Sequence, residues 1–145
     1  MIPKQDVKFL YSDFTVRQAL EKMYNSRYTA IPVIDHDGSY VGTISEGDLL
    51  WYIVRGEGNE VHSVAIESLE NVTLDKVFYN HHKNPPVNIT SSIENLIIRA
   101  LETNFFPIVD DRGLFIGIVT RRAIIKHFYD NSIKDTHSSD SDTNE

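Results

Sequence analysis

The sequence predicts an α/β fold of two pseudo-symmetric halves packed sheet to sheet, and three observations carry that expectation. Residues 30–53 (AIPVIDHDGSYVGTISEGDLLWYI) align without a gap on residues 105–128 (FFPIVDDRGLFIGIVTRRAIIKHF), and self-similarity at a fixed offset is the mark of a duplicated structural unit. Only Pro32/Pro107, Asp35/Asp110, Gly38/Gly113 and Gly42/Gly117 are identical, yet apolar positions coincide almost throughout. Each copy reads helix, strand, strand, helix, and 41% apolar residues in 145 supply a buried core. A unit of this size buries its own sheet face poorly, so the copies are expected to face each other across a pseudo-two-fold cleft.

Taken in order, residues 3–9 read as an extended stretch that adds a strand to the first copy. Thr15 opens VRQALEKMYNSR, where Val16, Ala19, Leu20 and Met23 recur at helical spacing, so a hydroxyl-capped amphipathic helix is expected. Residues 31–35 and 40–44 are short β-branched-rich runs either side of His36-Asp37-Gly38, the signature of two strands joined by a turn. Ser45 then caps a second helix running to about Val54. A polar linker occupies residues 55–59, and residues 73–78 form a short helix before AsnProProVal at 84–87.

Residues 87–89 add a strand to the second copy. Ser92 begins IENLIIRALE, whose Ile93, Leu96, Ile97 and Ala100 match the earlier helix. Residues 106–110 and 115–119 repeat the strand pair, and Thr120 caps a last helix to about Tyr129. The ordered pair spans 3–129: motif one at about 3–56, a connecting segment at about 57–78, motif two at about 79–129. The last sixteen residues carry five acids, one lysine and a single aliphatic side chain. Such a composition does not offset the entropy of ordering, so 131–145 are expected to be a disordered acidic tail.

Composition narrows the function. Fourteen Lys+Arg against 21 Asp+Glu give a net charge of −7, which argues against broad binding to nucleic acid or anionic membrane. The absence of cysteine excludes disulfides, thiolate zinc sites and a Cys nucleophile. The longest apolar run, residues 49–54, is far short of the ~20 residues a membrane helix needs, and the N-terminus does not read as a signal peptide. A soluble cytoplasmic protein is the expectation, with no membrane partner. No Ser/His/Asp order, Rossmann fingerprint or Walker loop is present, so an enzyme is not expected. His81 and His82 are adjacent and therefore on opposite sides of any strand, His36 belongs to a turn, His137 to the tail, and His62 and His127 stand alone. No metal site is expected from them.

Two copies about 75 residues apart, each with a Pro-apolar-apolar-Asp strand and a Gly-x-apolar-Ser/Thr start to the second helix, resemble a tandem pair of cystathionine-β-synthase (CBS) motifs, the Bateman module. The resemblance covers residues 3–129. It implies a cleft between motifs that binds an adenosine-containing ligand such as AMP, ADP, ATP, S-adenosylmethionine or cyclic di-AMP, with no required cofactor, and pairing into disk-shaped homodimers. TyrThrAlaIlePro at 28–32 with ThrArgArg at 120–122 is similar to small stand-alone bacterial CBS-pair proteins, some of which bind cyclic di-AMP.

The string Gly42-Thr43-Ile44-Ser45-Glu46-Gly47-Asp48 matches the family pattern whose Asp bonds a ribose diol. A carboxylate accepts two hydrogen bonds from vicinal hydroxyls beside the free N–H groups of a helix N-terminus. Ser-x-x-Asp is equally a variant capping box, with Ser45 as cap and Asp48 reaching back, worth ~1 kcal/mol without a ligand. In the second copy Ala123 stands where Asp48 does, and Thr120 caps alone. Both roles of Asp48 stay open on the sequence.

Arg121 and Arg122 fall in the first turn of the last helix, where the macrodipole disfavours each cation by roughly 0.3–1 kcal/mol. An anionic phosphate would relieve both; solvation, or pairing with Asp110 and Asp111, is the other reading. By family likeness Tyr28, Thr29 and Ala30 line an adenine slot that Lys4 and Val7 also reach. Strand-edge packing for the first three and simple solvation for the lysine are the alternatives. The corresponding stretch of copy two, Asn104, Phe105 and Phe106, is bulkier, which with Ala123 favours one adenosine site over two. Trp51 and Tyr52 serve either a dimer or partner surface or packing on the sheet. The sequence therefore points to a regulatory adenine-nucleotide sensor acting through an unknown protein partner or its own dimer, with a ligand-free interaction module as the competing reading.

Overall fold

The computed structural model describes residues 1–55, 66–77 and 84–142. In chain order they form β1 (Ile2–Pro3), β2 (Leu10–Tyr11), α1 (Val16–Ser26), β3 (Ala30–Ile34), β4 (Tyr40–Ser45), α2 (Glu46–Arg55), α3 (Leu74–Val77), β5 (Val87–Asn88), α4 (Ile97–Ala100), β6 (Phe105–Val109), β7 (Phe115–Thr120) and α5 (Arg121–Asp142). One sheet runs β2-β3-β4 and the other β1-β7-β6-β5. In each, a short leading strand lies parallel to the first arm of an antiparallel hairpin.

Two of the four identities explain the hairpin turns. Asp35 N–H donates to the Ser39 carbonyl and Gly38 N–H to the Asp35 carbonyl, both at 2.9 Å; Asp110, Leu114 and Gly113 repeat the pair at 3.1 and 3.0 Å. Gly38 at φ +94° and Gly113 at φ +81° hold conformations that side chains with a Cβ resist. The two turns also meet. Tyr40 N–H donates to the Gly113 carbonyl (3.2 Å) and Phe115 N–H to the Gly38 carbonyl (2.9 Å), an exchange that obeys the pseudo-two-fold.

Each sheet has its own core on the helix side. Leu10, Val16, Ala19, Met23, Ile31, Val33, Ile44, Leu49 and Leu74 form the first, and Val87, Leu96, Phe106, Ile108 and Ile124 the second. The opposite faces meet through rings: Phe9 lies edge-on to Phe115 (6.4 Å), and Phe115 stacks on Tyr40 (6.3 Å). Coverage on both sides is why β3 and β6 are nearly continuous apolar runs rather than alternating ones.

Two expectations are corrected. Residues 3–9 do not form a strand of copy one: Ile2–Pro3 pairs antiparallel with β7 of the other copy, Lys4–Asp6 is a 3₁₀ turn, and only Leu10–Tyr11 joins β3. The crossing is possible because Gly117 has no side chain; a Cβ there would sit 2.3 Å from the Ile2 carbonyl oxygen. The helix after Ser92 is also shorter than its partner. Thr15 makes a full capping box with Gln18, whereas the Ser92 hydroxyl makes no cap bond. The chain instead tightens into a 3₁₀ turn, Ile93–Leu96, before α4. The last helix, α5, runs from Arg121 to Asp142. Its nucleus is anchored in the core by Ile124, and propagation costs far less than nucleation.

Candidate functional site

The hairpin register decides which backbone groups of β3 are turned outward. Glu46 N–H donates to the Thr29 carbonyl (2.9 Å), so the exchanging pairs of this ladder fall at 29/46 and Ile31/Ile44, and Ala30 stands opposite Ser45 in the non-exchanging position. Ser45 N–H accordingly donates to Asp48 Oδ2 at 2.9 Å. The Ala30 N–H and C=O therefore face the opposite edge of β3. There β2 pairs only with Val33 and Ile34, and Pro32 has no N–H to carry the ladder further. Counting back three residues on both segments makes Val7 the formal counterpart of Ala30, beyond the end of the paired strands. The result is a strand edge bearing one donor and one acceptor on the same residue.

Lysines gather around Phe9, the residue before β2. Lys4 Nζ lies 5.5 Å and Lys22 Nζ 5.8 Å from the centre of the Phe9 ring. Lys22 donates to the Phe9 carbonyl at 2.7 Å. Partial burial, followed by the like charge of Lys8, lowers its pKa below the usual lysine value. A partly buried ammonium beside a like charge favours an anion.

Of the sequence-predicted residues, Lys4 lies against the Phe9 ring, Val7 N–H donates to the Lys4 carbonyl at 3.1 Å, and Ala30 opens β3. Tyr28 lies elsewhere: the ring is 45% exposed and lines a groove of about 1020 Å³ between α1 and α2 with Met23, Glu46, Gly47 and Leu50. Thr29 is exposed and contributes its carbonyl to α2. Asp48 is 7% exposed and forms the reciprocal capping box with Ser45, whose Oγ accepts from Asp48 N–H at 3.1 Å. Of the two roles left open for Asp48, capping is the one visible.

Thr120 Oγ1 accepts from Ala123 N–H at 3.1 Å as expected. Arg121 departs from both readings, whereas Arg122 fits the solvated one. Arg121 Nε donates to the Ala100 carbonyl at 2.6 Å, supplying a bond that the end of α4 lacks. Arg122 is exposed. Asp110 instead binds Arg112 (3.0 Å) and Asp111 accepts from Asn88 (3.0 Å). Sequence reasoning missed Lys8, Phe9 and Lys22, because the packing of α1 over the residues before β2 has no local signature. Trp51 and Tyr52 divide the two readings offered for them: Tyr52 is in the first core and Trp51 is exposed.

The other copy presents a different edge. Tyr40 from β4 donates its hydroxyl to the Asn84 carbonyl (2.8 Å) and pairs with Thr43 Oγ1 (2.7 Å), joining the two copies. Asn84, at φ +58°, donates Nδ2–H to the Phe105 carbonyl (3.1 Å). Arg99 donates to Asn84 Oδ1 (3.1 Å) and to the Pro85 carbonyl (2.6 Å), and lies 5.3 Å from the centre of the Phe106 ring.

Burial pushes the Tyr40 phenol up to about 12, against the opposing pull of the Thr43 bond and the Arg99 charge. A raised folded-state pKa means that the contribution is complete below the unfolded value of 10.0 and is lost as pH climbs towards about 12. The stability advantage of wild type over Tyr40→Phe is expected to shrink by about 2–3 kcal/mol across that window, which urea melts at stepped pH will measure.

Among the described residues no group of three or more His, Cys, Asp or Glu is placed to hold a metal ion, and no helix is long and apolar enough to cross a membrane. His36 pairs with Asp13 (2.8 Å) and stacks on Tyr11. His62, His81 and His82 lie outside the described residues.

Comparison with known proteins places this architecture. The CBS domain family matches twice, at residues 1–55 and 79–130. The chain belongs to the CBS-domain family. This CBS pair is 29% identical over 143 residues to the CBS domain-containing protein CBSX1, chloroplastic, of Arabidopsis thaliana, covering 87% of this chain and 61% of that one. It thus spans about three fifths of the length of that relative. Among solved structures, CbpB in complex with c-di-AMP superposes with a TM-score of 0.80 at 22% identity, over 97% of this chain and 87% of that one. CBSX2 in complex with AMP gives a TM-score of 0.67 at 23% identity, over 91% and 94%. The fold is that of CBS-pair proteins.

Proposed function

We propose that this CBS pair is a regulatory module that binds an adenine nucleotide at the open edge of β3 and acts through a protein partner or its own dimer. The observation that carries the reading is the outward N–H and C=O of Ala30, derived from the β3–β4 register. Adenine offers an acceptor ring nitrogen beside an amine donor, the complement of that pair, whereas guanine inverts the order. Lys4, Lys8 and Lys22 meet the phosphate, replacing Arg121 and Arg122 in that role. Asp48 fixes the N-terminus of α2 against which the ribose lies. Two structural neighbours, CbpB and CBSX2, have been solved with c-di-AMP and AMP.

The helix surfaces support self-association. Leu50 of α2 and Ile125 of α5, equivalent positions of the two copies, are both 62% exposed, and Trp51, Ile98, Leu101 and Tyr129 are also exposed. Matched apolar faces related by a pseudo-two-fold suit an isologous contact with a second copy. Thermal melts test the function. AMP, ATP or cyclic di-AMP at 100 times its dissociation constant is expected to stabilise by ~2.7 kcal/mol. That raises Tm by roughly 5–10 °C for a chain of this size. The same shift is expected to be smaller in Lys22→Met and absent with GMP, with light scattering reporting two copies. A flat panel from folded protein would leave the interaction module as the better reading.

A further inference from the structure

The count that makes Val7 the formal counterpart of Ala30 makes Asn84 that of Phe105, since Leu10 pairs with Val33 and Val87 with Ile108. The two edges are otherwise built alike. Arg121 N–H donates to the Asn104 carbonyl as Glu46 N–H does to that of Thr29. Phe105 is therefore the outward-facing residue of its ladder, and Pro107 occupies the place of Pro32. What differs is the occupant. Valine brings no polar group to Ala30, whereas the Asn84 carboxamide donates directly to the Phe105 carbonyl.

We infer that the Asn84 side chain is a built-in occupant of the second copy's base slot and limits the protein to one adenine nucleotide per chain. The inference rests on the proposed binding at Ala30 and extends it to the other copy. A primary amide presents N–H to a backbone carbonyl as the exocyclic amine of adenine does. Asn84 is fixed from three sides: Tyr40 binds its carbonyl, Arg99 binds its Oδ1, and its left-handed backbone is one that asparagine tolerates. Arg99 is held in turn by the Pro85 carbonyl and the face of Phe106. A nucleotide entering this slot has to displace a satisfied network.

Isothermal titration with AMP tests the inference. Wild type is expected to bind one AMP per chain, and Asn84→Gly, which removes the carboxamide and keeps the φ +58° backbone accessible, is expected to bind two. One AMP in both proteins overturns the plug and leaves the Ala30 site standing. None in wild type and one in Asn84→Gly supports the plug and removes the Ala30 site. Two in wild type, or none in either, overturns the plug. An NMR readout on wild type needs no variant. The Asn84 side-chain amide is expected to be protected from exchange and to keep its chemical shift at saturating AMP; a shift matching that of a freed amide would overturn the inference.

Discussion

Phe106→Ala is expected to lower stability by about 3–5 kcal/mol, the range for truncating a large buried aromatic. The side chain is 0% exposed at the centre of the second core, packed with Val87, Leu96, Ile108 and Ile124. Among the described residues this core is the smaller of the two, so fewer neighbours are available to collapse into the cavity. Domains have a total stability of only about 5–15 kcal/mol, so the variant is left close to the folding threshold. A fall in the urea midpoint without a change in slope is the expected measurement. The damage also reaches the inter-copy network, because Arg99 loses the ring it lies over. A loss under 1 kcal/mol would mean that the second sheet does not pack as described.

Gly117→Ala is expected to release the N-terminal strand. The new methyl group would lie 2.3 Å from the Ile2 carbonyl oxygen and 3.2 Å from Pro3 Cα, backbone atoms that yield only if β1 moves. Overpacking of this kind costs about 1–3 kcal/mol, and the local effect is larger than the global one because β1 has only two paired residues. Amide exchange in residues 2–7 is expected to rise while the cores keep their protection. Freeing β1 also frees Lys4 and Val7, so the thermal response to adenine nucleotides is expected to weaken in the same variant. Unchanged exchange with an unchanged response would separate β1 from the site.

The site was legible in part. Ala30, Val7 and Lys4 are expected from family likeness, and the β3–β4 register gives a physical reason for the first alone, by turning its N–H and C=O outward. The capping box of Ser45 and Asp48 was written in the sequence because it is local, spanning three residues. The basic corner was not. Arg121 and Arg122 are adjacent and conspicuous at a helix start, yet Arg121 is engaged by Ala100, twenty-one residues away. Lys22 sits in mid-helix and reaches the Phe9 carbonyl only where α1 crosses the residues before β2.

The sequence alone determined the duplication, the hairpins with their Asp and Gly turns, and the caps at Thr15, Ser45 and Thr120. Each depends on residues within one turn of chain or on a pattern repeated at a fixed offset. Tertiary structure decided that β1 joins the opposite sheet, that Arg121 binds the carbonyl at the end of α4, and that the outer edge of β6 at Phe105 is held by Asn84. These depend on which backbone atoms distant segments bring within hydrogen-bond reach. Periodicity carries no information about that, because a single side chain such as the missing Cβ of Gly117 settles which segments can approach.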